Sequence, residues 1–74
     1  MLKEEIIKGD FSAECSKENV YYTIFYEGKN MGTVDIDYYY FESNPFEVLS
    51  IPIVDLQQLL DLINECQKQL WDFC

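Results

Sequence analysis

The chain has 74 residues and a formal net charge of −9, with 14 acidic residues against five lysines and neither arginine nor histidine. A single domain of this size lies near the lower limit at which a hydrophobic core holds a fold without disulfides or metals. Hydrophobic residues make up 49% of the sequence, which excludes the composition of a disordered chain.

The N-terminal part of the sequence predicts one strand and leaves one element open. Residues 1–8 fit a short helix or an extra strand, and their pattern does not decide between the two. From Asp10 to Ser16, apolar and polar residues alternate, which predicts a first strand. The polar run 16–19 then predicts a turn.

The clearest local pattern is a hairpin. Residues 19–27 and 31–42 are rich in aromatic and β-branched residues, and they flank Gly28, Lys29 and Asn30. A loop of those three residues puts the apolar residues of both strands on one face, whereas a two-residue loop mixes the faces. The three-residue loop predicts an apolar face made of the pairs Val20–Tyr38, Tyr22–Ile36, Ile24–Val34 and Tyr26–Gly32.

This register gives the hairpin a second face that combines acidic and aromatic residues. Asp35 and Asp37 alternate with Val34 and Ile36, so a strand here would point both carboxylates the same way, about 7 Å apart. The predicted row pairs Tyr21 with Asp37, Thr23 with Asp35 and Phe25 with Thr33, and continues through Tyr39 and Phe41.

The C-terminal half predicts a further strand and a helix. Ser43–Asn44–Pro45 favours a turn, and residues 46–51 fit a short fourth strand that ends at Pro52. From about Val54 to Asp72, apolar residues recur at helical spacing. The predicted buried stripe is Leu56, Leu59, Leu60, Ile63, Cys66 and Leu70, flanked by Leu62 and Trp71.

Together these elements predict one α+β domain over residues 1–74. The expected fold is a four-stranded antiparallel meander, ββββα, with the C-terminal amphipathic helix packed on one face of the sheet. No apolar stretch approaches the roughly 20 residues of a membrane-spanning helix, and the acidic N-terminus does not resemble a signal peptide. The three cysteines are widely spaced, which favours reduced thiols over disulfides. We therefore expect the protein in the cytoplasm, which would be the host cell's cytoplasm if a phage encodes the chain.

The residues that most catalytic sites require are missing. Without histidine the chain cannot build a Ser-His or Cys-His pair or an imidazole metal site, and no glycine-rich phosphate loop is present. Cys15, Cys66 and Cys74 lack the number and spacing of a structural zinc site. We therefore expect no enzyme activity, no cofactor and no metal.

The charge distribution indicates a protein partner. From Asn30 onward, eight acidic residues face Lys68 alone, and such a surface repels phosphates and anionic lipid while attracting basic proteins. We therefore expect an inhibitor that occupies a basic, nucleic-acid-binding surface of another protein by mimicking nucleic acid. The candidate partner-binding residues are Asp35, Asp37, Tyr21, Tyr39, Glu42, Glu47, Asp61 and Glu65.

In size, acidity and lack of catalytic groups, the chain resembles the small inhibitors that phages use against host nucleases, including anti-CRISPR and anti-restriction proteins. That resemblance covers no motif. Two other functions fit the sequence: a charge-indifferent interaction module or homodimer, and an immunity protein or antitoxin that neutralises a basic toxin. A single-strand nucleic-acid binder is disfavoured because no lysine or arginine track accompanies the aromatic residues.

Overall fold

The computed structural model describes residues 2–42 and 50–73. Over these ranges the chain is α+β, as predicted, with five strands rather than four in one antiparallel sheet of order β1-β2-β3-β4-β5. One C-terminal helix follows the sheet. The elements are β1 (Glu5–Lys8), β2 (Phe11–Cys15), β3 (Tyr22–Tyr26), β4 (Lys29–Val34), β5 (Tyr39–Phe41) and α1 (Ile53–Phe73).

The first two strands form a tight hairpin. β1 decides the question that the sequence left open, because residues 5–8 pair with β2 as an additional edge strand. The predicted strand from Asp10 to Ser16 is confirmed as β2. Between the two strands, Gly9 adopts a positive φ of 60°, and a β-carbon there would lie 2.0 Å from the side-chain oxygen of Gln58 in α1. The positive φ of this turn favours glycine, and a larger residue here would also displace the end of the Gln58 side chain.

The hairpin of β3 and β4 exists, but its predicted loop was wrong. The turn is Glu27–Gly28, and both residues have positive φ, at 49° and 83°, as in the two-residue turns that suit twisted strands. Tyr22 pairs with Val34 and Ile24 with Gly32, which is two positions away from the predicted register. Because side chains alternate with a period of two, this even shift changed the partners and left the faces of β3 and β4 correct. The predicted pair Val20–Tyr38 was wrong, because both residues lie outside these strands and are exposed.

A β-bulge at Met31 explains how a two-residue loop keeps the apolar residues on one face. The pairing changes from Ile24↔Gly32 to Phe25↔Asn30, so Met31 is the extra residue of β4. Its carbonyl oxygen accepts hydrogen bonds from the Tyr39 hydroxyl at 2.9 Å and from the Glu42 amide at 3.1 Å. The bulge therefore also fixes the start and the end of β5.

The predicted long strand from Met31 to Glu42 is two strands joined by a turn. β4 ends at Val34, and residues 35–38 reverse the chain into β5. The two strands come close at Gly32, which has a φ of 140° and at which a β-carbon would lie 2.0 Å from the Tyr40 carbonyl oxygen. Asp35 and Asp37 consequently do not alternate along a strand, and the predicted pairing of Thr23 with Asp35 and of Tyr21 with Asp37 was wrong.

The predicted helix is confirmed to within one residue at each end, but its buried stripe is rotated. Leu62, predicted as a flanking residue, is fully buried, and Cys66 and Leu70 are buried with it. Leu59 and Ile63 are partly buried against the core. The structure leaves exposed two predicted members of the stripe, Leu56 and Leu60, and the predicted flanking residue Trp71.

The predicted turn at 43–45 and most of the predicted strand 46–51 lie outside the described residues. Ser50 and Ile51, which are described, belong to no strand.

The core lies between α1 and one face of the sheet. The helix contacts β1, β2 and β4, and the core side chains include a cross-strand ring pair, Phe11 and Tyr26, with centroids 4.5 Å apart. Tyr22 is fully buried, and its hydroxyl donates a hydrogen bond to the Lys3 carbonyl. Burial raises the pKa of Tyr22 to about 12. The buried set is Ile6, Phe11, Ala13, Tyr22, Ile24, Tyr26, Val34, Leu62, Cys66 and Leu70.

The described part of the chain contains no helix that is long and apolar enough to cross a membrane.

Candidate protein-binding surface

The turn between β4 and β5 is built around the carboxylate of Asp35. Its Oδ1 accepts hydrogen bonds from the backbone amides of Asp37 at 2.8 Å and Tyr38 at 2.7 Å, and the Asp35 amide donates to the Tyr38 carbonyl at 3.0 Å. Aspartate favours such turns because its short side chain reaches its own backbone two residues on. These amides, that of Tyr38 first, hold the pKa of Asp35 below its usual value. Asp35 is therefore an anion with a structural role.

Two tyrosines extend from this turn on the side of the sheet away from the helix. Tyr40 pairs with Thr33, and its side chain lies near the Asp35 carboxylate. The nearby Asp35 charge raises the pKa of Tyr40. The Tyr38 ring lies 6.2 Å from the Tyr40 ring, between centroids, and both rings are more than half exposed, at 66% and 53%. The turn thus presents two carboxylates, of Asp35 and Asp37, beside two accessible rings.

The sequence assigned the wrong tyrosine to this surface. Tyr39 was predicted beside the aspartates, but it pairs with Val34 and packs against the core on the helix side. Burial raises the pKa of Tyr39 to about 12. Phe41 pairs with Gly32 and follows Tyr39 on that side, in edge contact with its ring at 4.7 Å. The β4–β5 turn changes the alternation by one position, so Tyr38 and Tyr40 take the predicted places.

The other predicted residues on the sheet lie around the same region without forming one contiguous set. Tyr21 is exposed just before β3, and its amide donates a hydrogen bond to the Ser16 hydroxyl at 3.3 Å. Glu42 is exposed directly after β5. Glu47 lies outside the described residues.

The two predicted helix residues do not join the turn. Asp61 is exposed on α1 and accepts a hydrogen bond from Gln57 at 3.1 Å. Glu65 accepts one from Gln69 at 3.0 Å and lies 3.7 Å from the Lys3 ammonium. The Gln69 hydrogen bond, followed by Lys3 and other lysines, lowers the pKa of Glu65. Glu65 is therefore a partly neutralised carboxylate on the helix side of the molecule.

The register reveals two acidic residues that sequence reasoning missed. Glu5 lies directly opposite Glu14, and Glu14 lies opposite Thr23 in the same row as Thr33 and Tyr40. Neighbouring strands lie about 4.8 Å apart, so this row crosses the sheet over roughly 19 Å. We call the side of the sheet away from α1 the open face; its strand residues are Glu5, Ile7, Ser12, Glu14, Thr23, Phe25, Asn30, Thr33 and Tyr40.

The open face carries acids and no lysine at any of its strand positions in the described chain. Lys8 pairs with Phe11 and Lys29 with Tyr26, and both of these aromatic residues are buried under the helix. Lys68 is on α1, and Lys3 lies beside Glu65. The sequence alone could not indicate this segregation, because Glu5 lies on the open face only when residues 5–8 form β1, and the sequence did not decide that.

One end of the open face borders an open depression of about 650 Å³ beside the β2–β3 turn. Its lining combines Glu4, Glu5 and Glu14 with Lys17, so one cation lies at its edge. Burial, followed by the charge of Glu4, raises the pKa of the Cys15 thiol in this lining. Within residues 2–42 and 50–73, no three His, Cys, Asp or Glu side chains are grouped so that they could hold a metal ion.

Comparison with known proteins leaves the family open. No protein-family model, no curated protein and no solved structure matches this chain significantly.

Proposed function

We propose that this protein is a small acidic inhibitor that binds a basic, nucleic-acid-binding surface of another protein. The observation that carries the proposal is the segregation of charge on the sheet: Glu5 and Glu14 occupy the open face while the strand lysines Lys8 and Lys29 occupy the opposite one. A surface with one sign of charge attracts partners of the opposite sign and increases their association rate.

The β4–β5 turn strengthens this anionic surface. Asp35 is kept ionised by backbone hydrogen bonds, and Asp37 is exposed beside it. Fixed carboxylates can accept the charge-assisted hydrogen bonds that arginine and lysine otherwise give to phosphates. Tyr38 adds accessible ring area next to them, at a low cost in side-chain entropy. The combination suits a protein groove that normally holds a nucleic-acid backbone.

The test is competition with nucleic acid. The chain, immobilised, is exposed to lysate from its native host, and the captured protein is purified and challenged with duplex DNA and with RNA. We expect a captured protein of high isoelectric point that nucleic acid displaces, with affinity that falls steeply as salt rises. Capture of an acidic or neutral protein that neither nucleic acid nor salt releases would refute the proposal.

A second candidate function is a charge-indifferent interaction module or a homodimer. It is favoured by apolar side chains that remain accessible on the helix side, among them Phe41, Ile53 and Leu60. Binding through such residues depends little on salt, because it removes apolar surface from water instead of pairing charges. The salt dependence of the captured complex therefore separates the two functions, and sedimentation of the free chain tests the homodimer.

A further inference from the structure

The tyrosine-flanked open face fits one kind of partner better than others. We propose that the open face is the surface that meets the cationic partner, and that this partner makes contact through arginine side chains in preference to lysine. This inference rests on the proposed function, and it adds the binding face and the chemistry of the partner's residues.

Two like charges oppose each other on the open face of the sheet. Glu5 and Glu14 are direct cross-strand partners, and like charges in this position destabilise a sheet. Lys17 lines the depression beside them, but no lysine shares their face at a strand position in the described chain. A cationic side chain from a partner placed between the two carboxylates would remove this repulsion. A bound cation therefore stabilises the folded protein more at this pair of glutamates than at an isolated glutamate.

Two aromatic residues on the same side of the sheet lie beside a carboxylate. The Tyr40 ring lies near the Asp35 carboxylate, and the Tyr38 ring lies 6.2 Å from it, between centroids. A guanidinium group stacks on such rings and can bond a carboxylate through two parallel N–H donors, whereas an ammonium group is compact and strongly hydrated. Rings beside carboxylates therefore favour arginine over lysine.

Other occupants of this face fit its chemistry less well. A second copy of the chain would bring the same glutamates toward each other, and nucleic acid would bring phosphates; both add repulsion. The opposite face of the sheet is covered by α1, which contacts β1, β2 and β4. The open face also keeps apolar area accessible, with Ile7 exposed by 65%. A basic protein surface can pair with the carboxylates and also bury this apolar area.

The test uses two peptides of equal length, an oligo-arginine and an oligo-lysine, titrated against the full chain at low and at near-physiological salt. We expect the oligo-arginine to bind more tightly, by about tenfold at low salt. The double variant Glu5→Gln with Glu14→Gln should lose most of this affinity. The matched control is Asp61→Asn with Asp72→Asn, which removes the same charge from the exposed surface of α1 and should retain it.

A further variant tests the contribution of the rings. Tyr38→Leu keeps an apolar side chain but removes the aromatic face, so the affinity for oligo-arginine should fall toward that for oligo-lysine, which should fall less. Circular dichroism and urea unfolding of each variant show that the fold is retained.

The outcomes separate this inference from the proposed function. If the peptides bind but the Asp61 and Asp72 control loses as much affinity as the Glu5 and Glu14 variant, the face is wrong and the anionic function stands. Equal binding of both peptides would overturn the arginine preference. If neither peptide binds and no captured protein is displaced by nucleic acid, both proposals fail. Tight binding of single-stranded DNA would show that nucleic acid is the partner instead. Self-association of the chain that is lost in the double variant Glu5→Gln with Glu14→Gln would show that a second copy is the partner instead.

Discussion

Replacing the buried Leu62 by alanine should destabilise the fold more than replacing a leucine on the exposed side of α1. Leu62 is 0% exposed and lies in the core between the helix and the sheet. Truncating a buried leucine to alanine costs about 2–5 kcal/mol, because burial is lost and a cavity remains. A domain of this length has a total unfolding free energy of roughly 4–11 kcal/mol. The variant should therefore lose a large share of its stability.

The matched control is Leu60→Ala. Leu60 lies in the same helix and undergoes the same chemical change, but it is 54% exposed, so the expected cost is about 1 kcal/mol or less. Urea unfolding followed by circular dichroism gives both midpoints, and unchanged slopes would allow them to be compared directly. A loss of about 3 kcal/mol would also lower the melting temperature by roughly 12–24 °C. If Leu60→Ala costs as much as Leu62→Ala, α1 faces the sheet with a different stripe and the packing described above is wrong.

Three further predictions concern the backbone, a turn and a thiol. Gly32→Ala should unfold most of the protein, because a β-carbon there would lie 2.0 Å from a β5 carbonyl oxygen. Gly28 has a positive φ but open space around it, so Gly28→Ala should cost about 1–2 kcal/mol of unfolding free energy. Thermal melts of both variants test this contrast. Asp35→Asn should lower the urea midpoint at neutral pH. Because hydrogen bonds lower the pKa of Asp35 in the folded state, the difference from wild type should vanish as the pH falls through that lowered pKa. Burial raises the pKa of Cys66 to about 12, so iodoacetamide at mildly alkaline pH should leave this thiol unlabelled until urea is added, as mass spectrometry would show.

Much of the fold follows from periodicity. The helix, β2 and the apolar face of the β3–β4 hairpin could be predicted because alternation and the i, i+3, i+4 spacing report directly on which side of an element is buried. The rotation of α1 could not, since Leu60 and Leu62 are equally apolar and only the position of the sheet distinguishes them. The bulge at Met31 was also hidden, because an even register shift leaves the alternation of faces unchanged.

The candidate surface was harder to predict than the fold. Asp35 and Asp37 occur in an alternating pattern typical of a strand, but the Asp35 side chain captures the amides of residues 37 and 38 and turns the chain. That one turn exchanges the faces of Tyr39 and Tyr40. Glu5 could not be placed at all until β1 was known to pair with β2. Local side-chain hydrogen bonds and edge-strand pairing therefore determine which acids and rings share a face.

The order of the strands bears on how quickly the chain reaches its fold. Each strand pairs with the strand next to it in sequence, so the sheet forms through short loops whose closure costs little entropy. Packing α1 against β1 joins segments far apart in the chain, as between Lys3 and Gln69, 66 positions away. We therefore expect the sheet to form early and the helix to dock late. Because the indole of Trp71, the sole tryptophan, donates a hydrogen bond to the Ile36 carbonyl at 3.2 Å, its fluorescence should report that docking step without an added label.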